Sequence, residues 1–159
     1  PLGSRKSSSA RWNPNARGAF IGLNLASRRE DVLRAVMEGI TMNLGLIVNI
    51  FRQHVPIEAI TVIGGGARSA VWRQMMADIY GCRVTSLNFL EEATSMGAAV
   101  VGGVAVGVFK DFDVIHRFIS VEHTATPNPA ARDKYRQLRG VLESAYHGLE
   151  GTYAALAKL

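Results

Sequence analysis

The sequence predicts an α/β fold in which short apolar strands alternate with amphipathic helices. The β-branched stretch 59–63 is typical of a buried strand, and after three glycines apolar residues recur at helical spacing over 71–79. A second strand is predicted at 82–87, and a long amphipathic helix precedes the first strand. Because helices and strands alternate, we expect these two strands to be neighbours in a mainly parallel sheet.

The glycine turn after the first strand bears most directly on function. Gly64, Gly65 and Gly66 can adopt positive φ and let a ligand approach the backbone without meeting a Cβ atom. Ser69 is a candidate N-cap for the following helix. Together, the turn and the helix N-terminus offer free N–H groups and a positive dipole end, which suit a phosphate or a ribose. Three glycines are equally compatible with a plain tight turn, so the pattern alone leaves both interpretations open.

Composition is that of a globular domain and argues against several functional classes. The chain has 159 residues, 48% hydrophobic and 19% charged, which is enough for one domain with a core. The net charge is +5, but the basic residues are scattered, so we expect no nucleic-acid partner. Cys82 is the only cysteine, which excludes a disulfide within the chain and favours the cytoplasm.

No membrane partner is expected either. The uncharged stretch 93–109 is shorter than the roughly 20 residues that a membrane span needs, and it is rich in glycine and alanine. We therefore interpret it as a buried helix of a soluble protein. No signal peptide is visible.

The first ten residues differ in character from the rest. Pro1-Leu2-Gly3-Ser4 resembles the remnant of a cleaved affinity tag, so the natural protein can be longer. We assign residues 1–10 to this remnant and a polar linker, and residues 11–159 to the folded part. A turn-rich stretch at 12–15 leads into a candidate strand or hairpin at 17–23.

The helix before the first strand has a capping signal and an apolar face. Ser27 and Glu30 match a capping box, and the helix is predicted to end near His54, before Pro56. After the glycine turn and its helix, Gly81 is placed where a C-terminal cap belongs. The apolar face of the first helix consists of Val32, Leu33, Val36, Met37, Ile40, Leu44, Ile47, Val48 and Phe51.

The segment 91–107 predicts a helix with three internal glycines, each of which costs about 1 kcal/mol there. Close packing can compensate for this cost. Alternatively, the segment forms one wall of a nucleotide site through Glu91 or Glu92, Thr94 and Gly97. The two glutamates also suit a helix N-terminus without any catalytic role.

The C-terminal part predicts a short helix at 111–119 and a long final helix, with Asn128 as its N-cap and Pro129 at its first position. The final helix carries a heptad-like stripe, which is compatible with a coiled coil or with packing along its own domain. The stripe consists of Tyr135, Leu138, Leu142, Ala145, Leu149, Thr152 and Leu156.

Four stretches resemble the C-terminal, nucleotide-binding half of the FGGY carbohydrate kinases. They are residues 15–23, 34–39, 63–78 and 92–99. The third is similar to the adenosine motif of the actin/hexokinase/Hsp70 superfamily, whose domains have a ribonuclease-H-like fold, and the fourth to its second connecting motif. The resemblance extends over nearly the whole chain, and it is closest to the xylulokinases. It implies that the chain forms an incomplete C-terminal half of the ribonuclease-H-like fold.

The resemblance implies an ATP-dependent phosphotransferase that acts on a ketose or polyol hydroxyl, with ATP and Mg²⁺ between two domains. The catalytic aspartate, the sugar pocket and both phosphate motifs of this family have no match in the chain. We therefore expect no catalytic and no metal-ligating residue here, and an inactive chain when it is isolated. The turn and the helix start would contact ATP through their backbone N–H groups, which assigns nucleotide binding to Gly64, Gly65, Gly66, Ala67 and Ser69.

Several alternatives stay open for the whole protein. The favoured sugar is xylulose, with gluconate, ribulose or glycerol as alternatives, and a non-enzymatic actin-like nucleotide-binding or assembly module is a rival class. An incomplete sheet has an unpaired edge, which predicts a homodimer or other self-association. We expect a structural role for Asp78, and the four histidines show no metal-ligand spacing.

Overall fold

The computed structural model of the chain describes residues 13–89 and 91–159. Their helices and strands are α1 (Arg29–Arg52), β1 (Ala59–Val62), α2 (Ala70–Tyr80), β2 (Arg83–Leu87), α3 (Ala93–Ala105), β3 (Val121–Ala125) and α4 (Pro129–Leu156). Short 3-10 helices precede α2 (Gly65–Arg68) and β3 (Phe112–Arg117). The described residues divide into two compact units, one of residues 57–127 and one that combines residues 13–56 with 128–159. The interpretation of residues 1–10 as a tag remnant and linker lies outside the described residues.

The unit of residues 57–127 is built on a three-stranded sheet in the order β1-β2-β3. β1 and β2 pair in parallel, from Ala59 opposite Arg83 to Val62 opposite Ser86, which confirms the predicted neighbours. β3 pairs antiparallel with β2, so the sheet is mixed.

The amino-acid sequence did not predict β3. Four of its five side chains are exposed, and the segment Val-Glu-His-Thr-Ala contains neither a continuous apolar run nor a clear alternation. The short helix predicted just before it is present as the 3-10 helix Phe112–Arg117.

Helix α2 packs on the sheet and supplies most of the core of this unit. The Ser69 hydroxyl accepts a hydrogen bond from Trp72 N at 3.2 Å, and Gly81 ends the helix in the left-handed conformation with φ of 65°. Both predicted caps are therefore confirmed. Val71, predicted on the apolar face, is exposed instead. The buried apolar residues of the unit are Ala67, Met75, Met76, Ala77, Ile79, Tyr80, Cys82, Val84 and Val100.

The prediction that α3 is a buried helix is wrong for this chain. Val100 is its only buried residue among those described, because within its unit α3 packs chiefly on the 3-10 helix Phe112–Arg117. Close packing explains one internal glycine, because a Cβ atom at Gly103 would overlap the Phe109 ring. At Gly97 and Gly102 a Cβ would meet no described atom within 4 Å.

In the other unit, α1 begins one residue later than the predicted capping box implies. Arg28 is the N-cap, and its backbone N–H donates to Asp31 Oδ2 at 2.9 Å. The Ser27 hydroxyl is engaged elsewhere, because it accepts from Asn24 N at 3.0 Å and closes the preceding turn. The predicted box of Ser27 and Glu30 is therefore wrong by one position.

The predicted apolar face of α1 is largely exposed in this chain. The buried residues of the helix are Thr41, Met42 and Gly45. Of the described helices, α1 alone is long and apolar enough to cross a bilayer, a property that the core helix of a soluble protein shares. Exposed members of the predicted face are Leu33, Val36, Ile40, Leu44 and Phe51.

The strand or hairpin predicted at 17–23 is also wrong. These residues are irregular, and none of the described strands pairs with them. The side chains of Phe20, Ile21 and Leu23 are each more than half exposed. A strand needs a neighbouring strand to satisfy its backbone N–H and C=O groups, and residues 17–23 have no such partner among the described strands, which explains the difference.

Helix α4 begins as predicted. Asn128 Oδ1 accepts hydrogen bonds from Ala130 N at 3.0 Å and from Ala131 N at 3.3 Å, and Pro129 is the first helical residue. The apolar stripe drifts towards the C-terminus, where Tyr153 is buried and the predicted Thr152 is exposed. A helix of 3.6 residues per turn gradually leaves a strict heptad, which accounts for this shift.

Candidate functional site

The glycine turn is formed by one positive-φ glycine followed by a 3-10 helix. Gly64 has φ of 80° and ψ of −176°, a conformation that residues with a side chain rarely adopt. Gly65 and Gly66 do not have positive φ, contrary to the expectation for all three glycines. They open the 3-10 helix instead, which carries the chain to Ser69 at the start of α2.

The N–H groups of this turn have different roles. Ala67 N donates to Gly64 O at 3.0 Å, and Ala67 is 1% exposed, so its N–H holds the turn closed. Gly65 and Gly66 are the first two residues of the 3-10 helix, and the first N–H groups of a helical segment have no acceptor within it. These two groups are therefore the donors that the turn can offer to an anion.

Each of the three glycines in the turn has a different structural explanation. A Cβ atom at Gly66 would lie 3.1 Å from Cζ3 of Trp72, so packing explains this glycine. Positive φ explains Gly64. A Cβ at Gly65 would meet no described atom within 4 Å, and neither packing nor φ requires glycine there. Close approach of a ligand is a physical reason that applies to Gly65.

A hollow of about 350 Å³ lies beside the turn. Arg73, which is 7% exposed, donates through Nη1 to Ala67 O and thereby ties α2 to the turn. Arg68 Nη2 lies 2.6 Å from Glu91 Oε1, so an ion pair connects the turn with the segment before α3. The charged residues that line the hollow are Arg68, Arg73, Glu91, Glu92 and Glu122.

The structure brings only some of the residues predicted to form one wall of a nucleotide site to this hollow. Glu91 and Glu92 line it, whereas Thr94 and Gly97 are exposed on α3 and do not. Glu92 is the N-cap of α3 without a side-chain capping bond, so its charge faces the positive end of the helix dipole.

Asp78 is located away from the turn, in the last part of α2. It is 7% exposed and accepts a hydrogen bond of 2.8 Å from Gln74 Nε2. Gln74 Nε2 also contacts Thr126 O at 2.8 Å, just after β3. These contacts fix α2 to its surroundings and support the structural role expected for Asp78. Within residues 13–89 and 91–159, no three His, Cys, Asp or Glu side chains are grouped so that they could hold a metal ion.

A second polar cluster, in the other unit, was not predicted. Arg34 Nε contacts Glu38 Oε1 at 2.8 Å, and the Tyr135 hydroxyl donates to the same oxygen at 2.7 Å. Burial and the hydrogen bond to Glu38 raise the pKa of Tyr135, and the hydrogen bond to Glu38 also raises the pKa of Arg34. The i,i+4 spacing of Arg34 and Glu38 was a signal for part of this cluster, but nothing local indicated Tyr135.

The family of the chain follows from comparison with known proteins. Residues 4–106 match the C-terminal domain of the FGGY family of carbohydrate kinases. The chain belongs to this family, and its fold is the actin/hexokinase-like fold that the resemblance implies.

Relatives with different substrates in their names are similar to this chain. It is 34% identical over 148 residues to a gluconokinase from Bacillus licheniformis, which covers 92% of the chain and 29% of that protein. It is 39% identical over 133 residues to a xylulose kinase from Staphylococcus epidermidis, which covers 82% of the chain and 26% of that protein. The structure of ligand-bound xylulose kinase from Lactobacillus acidophilus matches with a TM-score of 0.80 and 27% identity, over 91% of the chain and 30% of that protein. The chain thus spans less than a third of the length of these relatives.

Proposed function

We propose that this chain supplies the adenosine side of the ATP site in a carbohydrate kinase, which transfers a phosphoryl group from ATP to a sugar hydroxyl. The observation that carries the proposal is the turn at residues 64–67. It combines a positive-φ glycine, open space at Gly65 and two uncommitted N–H groups in a chain of the FGGY family.

The predicted nucleotide contacts divide into direct and supporting roles. Gly65 and Gly66 would donate their N–H groups to the ribose or phosphates, and Gly64 would let the backbone approach them. Ala67 and Ser69 would act from behind the contact surface, because the Ala67 N–H closes the turn and the Ser69 hydroxyl caps α2.

ATP and Mg²⁺ are the proposed cofactors. When bound, Mg²⁺ neutralises charge on the transferring phosphate. The residues described here offer a donor turn but no metal-ligand cluster, so Mg²⁺ would be held by the phosphates and by residues outside this chain. A base that takes the proton of the attacking sugar hydroxyl would also lie outside it, and we infer that the isolated chain transfers no phosphoryl group.

For the whole protein we propose xylulose as the substrate, because a xylulose kinase shares 39% identity with the chain. Gluconate is the main alternative, since a gluconokinase matches over more of the chain at 34% identity; ribulose and glycerol are further alternatives. No observation favours a non-enzymatic assembly module. We further propose a cytoplasmic protein without membrane or nucleic-acid partners, in which residues 11–159 form the C-terminal portion of the nucleotide-binding domain.

A homodimer of the isolated chain is part of the proposal. β1 is an edge strand of the three-stranded sheet, and unpaired strand edges favour association with another chain. Light scattering at high protein concentration tests this, and a monomer there contradicts it.

Calorimetric titration with Mg²⁺–ATP and Mg²⁺–ADP tests the site itself. We expect the wild-type chain to bind both, and Gly65→Leu to abolish binding, because the added side chain begins in the space that is open at Gly65 and blocks the approach of a ligand to the backbone there. Gly148→Ala in α4, where a Cβ also meets nothing within 4 Å, is the matched control and should bind like wild type. Thermal denaturation verifies that both variants are folded. Equal affinity of Gly65→Leu and wild type contradicts the proposed contact surface.

A further inference from the structure

We propose that Arg68 is the residue that favours phosphorylated nucleotides at this site, and that Glu91 competes with the nucleotide for its guanidinium group. The inference rests on the proposed nucleotide site and adds to it a residue that acts through charge, whereas the glycine turn acts through its backbone.

Arg68 is placed at the right point for this role. It is the last residue of the 3-10 helix that Gly65 opens, and it follows directly after the turn. Its side chain is 63% exposed, and Nη2 lies 2.6 Å from Glu91 Oε1, whose side chain is 55% exposed. The guanidinium is therefore accessible from the hollow but occupied by a carboxylate.

The charges around the hollow single out Arg68. Three carboxylates line it, those of Glu91, Glu92 and Glu122, and they repel an approaching polyphosphate. Of the two arginines among the described lining residues, Arg73 is buried and donates to Ala67 O, so it is fixed in the protein. Arg68 is then the arginine of this hollow that can move to meet an anion.

The ion pair is weak enough to be exchanged. Ion pairs between exposed side chains contribute little to stability, because water screens them and two long side chains must be ordered. An arginine can form two parallel hydrogen bonds with a phosphate, which are stronger than a contact with one carboxylate oxygen. A nucleotide with several phosphates therefore displaces Glu91 from Arg68, whereas adenosine does not.

The test compares adenosine, ADP and ATP by calorimetric titration of the 159-residue chain and its variants. Arg68→Gln should weaken ATP binding about tenfold and leave adenosine binding unchanged, since one charged contact to the phosphates is lost. Glu91→Gln should tighten ATP binding up to about fivefold, because the competitor for Arg68 and one repelling charge are removed. Both changes should be smaller for ADP than for ATP.

Arg83→Gln is the control for loss of one positive charge in the same unit. Arg83 is exposed at the start of β2, whereas the hollow lies beyond the other end of that strand, and this variant should bind every ligand like wild type. Thermal denaturation of all variants reports any loss of folding.

The possible results separate this inference from the proposed function. If the wild-type chain binds none of the three ligands, both are overturned. If it binds ATP but Arg68→Gln and Glu91→Gln weaken binding equally, the pair merely holds two segments together and this inference alone is wrong. Unchanged affinities in both variants, or an equal loss for adenosine and ATP in Arg68→Gln, also overturn it alone.

Discussion

The Tyr135 hydroxyl donates a hydrogen bond of 2.7 Å to Glu38 Oε1 and thereby joins helix α4 to helix α1 within their unit. Arg34 completes the arrangement, because its Nη2 donates to the Tyr135 oxygen at 3.0 Å and its Nε to Glu38 at 2.8 Å. Tyr135 is buried, and the Glu38 side chain is 22% exposed. The stretch 34–39, one of those that resemble the FGGY kinases, thus has a role in the packing of α1 against α4.

Tyr135→Phe should lower the free energy of unfolding by about 1–2 kcal/mol, because a charged acceptor at a largely buried position loses one donor. Urea denaturation measures this change. In a double-mutant cycle with Glu38→Gln, the two losses should be non-additive, since the glutamine removes the acceptor charge that strengthens the Tyr135 hydrogen bond. Lys134→Gln, an exposed neighbour on α4, is the control and should change stability by less than about 0.5 kcal/mol. Strict additivity of Tyr135→Phe and Glu38→Gln contradicts the coupling.

Neighbouring glycines in the turn should respond differently to alanine. In Gly66→Ala the new Cβ lies 3.1 and 3.3 Å from two atoms of the Trp72 ring, so the ring must shift, and we expect a loss of about 1 kcal/mol. Gly65→Ala has open space and ordinary φ, and should be neutral or stabilising by up to about 1 kcal/mol. Thermal denaturation measures both, and tryptophan emission should change only in Gly66→Ala. Equal stability of the two variants is evidence against the Trp72 contact.

The elements around the turn could be predicted because several local signals agree there. β1, α2 and β2 each have an apolar pattern of the right period, and Ser69 and Gly81 mark the ends of α2. β3 had no such pattern, because its side chains are mostly exposed and its position depends on pairing with β2. The sequence did not identify the N-cap residue of α1, because Ser27 and Arg28 are both candidates for it. The Ser27 hydroxyl accepts from Asn24 N instead, and Arg28 is the N-cap.

The glycine turn itself was evident from the sequence, whereas the charges around it were not. Arg68 and Glu91 are 23 positions apart, and their ion pair depends on how the turn and the start of α3 meet in the folded unit. The apolar face predicted on α1 is mostly exposed, and none of the residues that α1 buries, Thr41, Met42 and Gly45, belongs to it. Periodicity reports which residues share a face, and burial depends on the rest of the structure.

Replacing Ser86 by alanine should stabilise the folded chain. It is fully buried in β2, and within the described part of the chain its Oγ has no hydrogen-bond partner. Burying an unsatisfied hydroxyl costs about 1–3 kcal/mol, so Ser86→Ala should raise the free energy of unfolding by about 1 kcal/mol in urea denaturation. Thr85→Ala is the control on the same strand and should lower it, because the Thr85 and Thr61 hydroxyls are hydrogen-bonded at 3.1 Å. A destabilised Ser86→Ala variant would mean that the hydroxyl has a partner in solution.

Tyr80 should make the stability of the chain sensitive to high pH. Burial, with a smaller electrostatic contribution from Cys82, raises the pKa of Tyr80 from 10.0 to about 12. The unfolded chain therefore releases this proton near pH 10 while the folded chain keeps it to about pH 12, and the stability that Tyr80 contributes below pH 10 is lost between these values.

Guanidinium denaturation at several pH values between 8 and 12 measures this effect. The wild-type chain should lose more stability than Tyr80→Phe above pH 10, because phenylalanine has no proton to release. Below pH 9 the difference in unfolding free energy between the two proteins should be independent of pH. Tyr135, whose pKa burial also raises, is present in both proteins and cancels in the comparison. Parallel curves for wild type and Tyr80→Phe up to pH 12 would show that the Tyr80 hydroxyl is accessible to water in the folded chain.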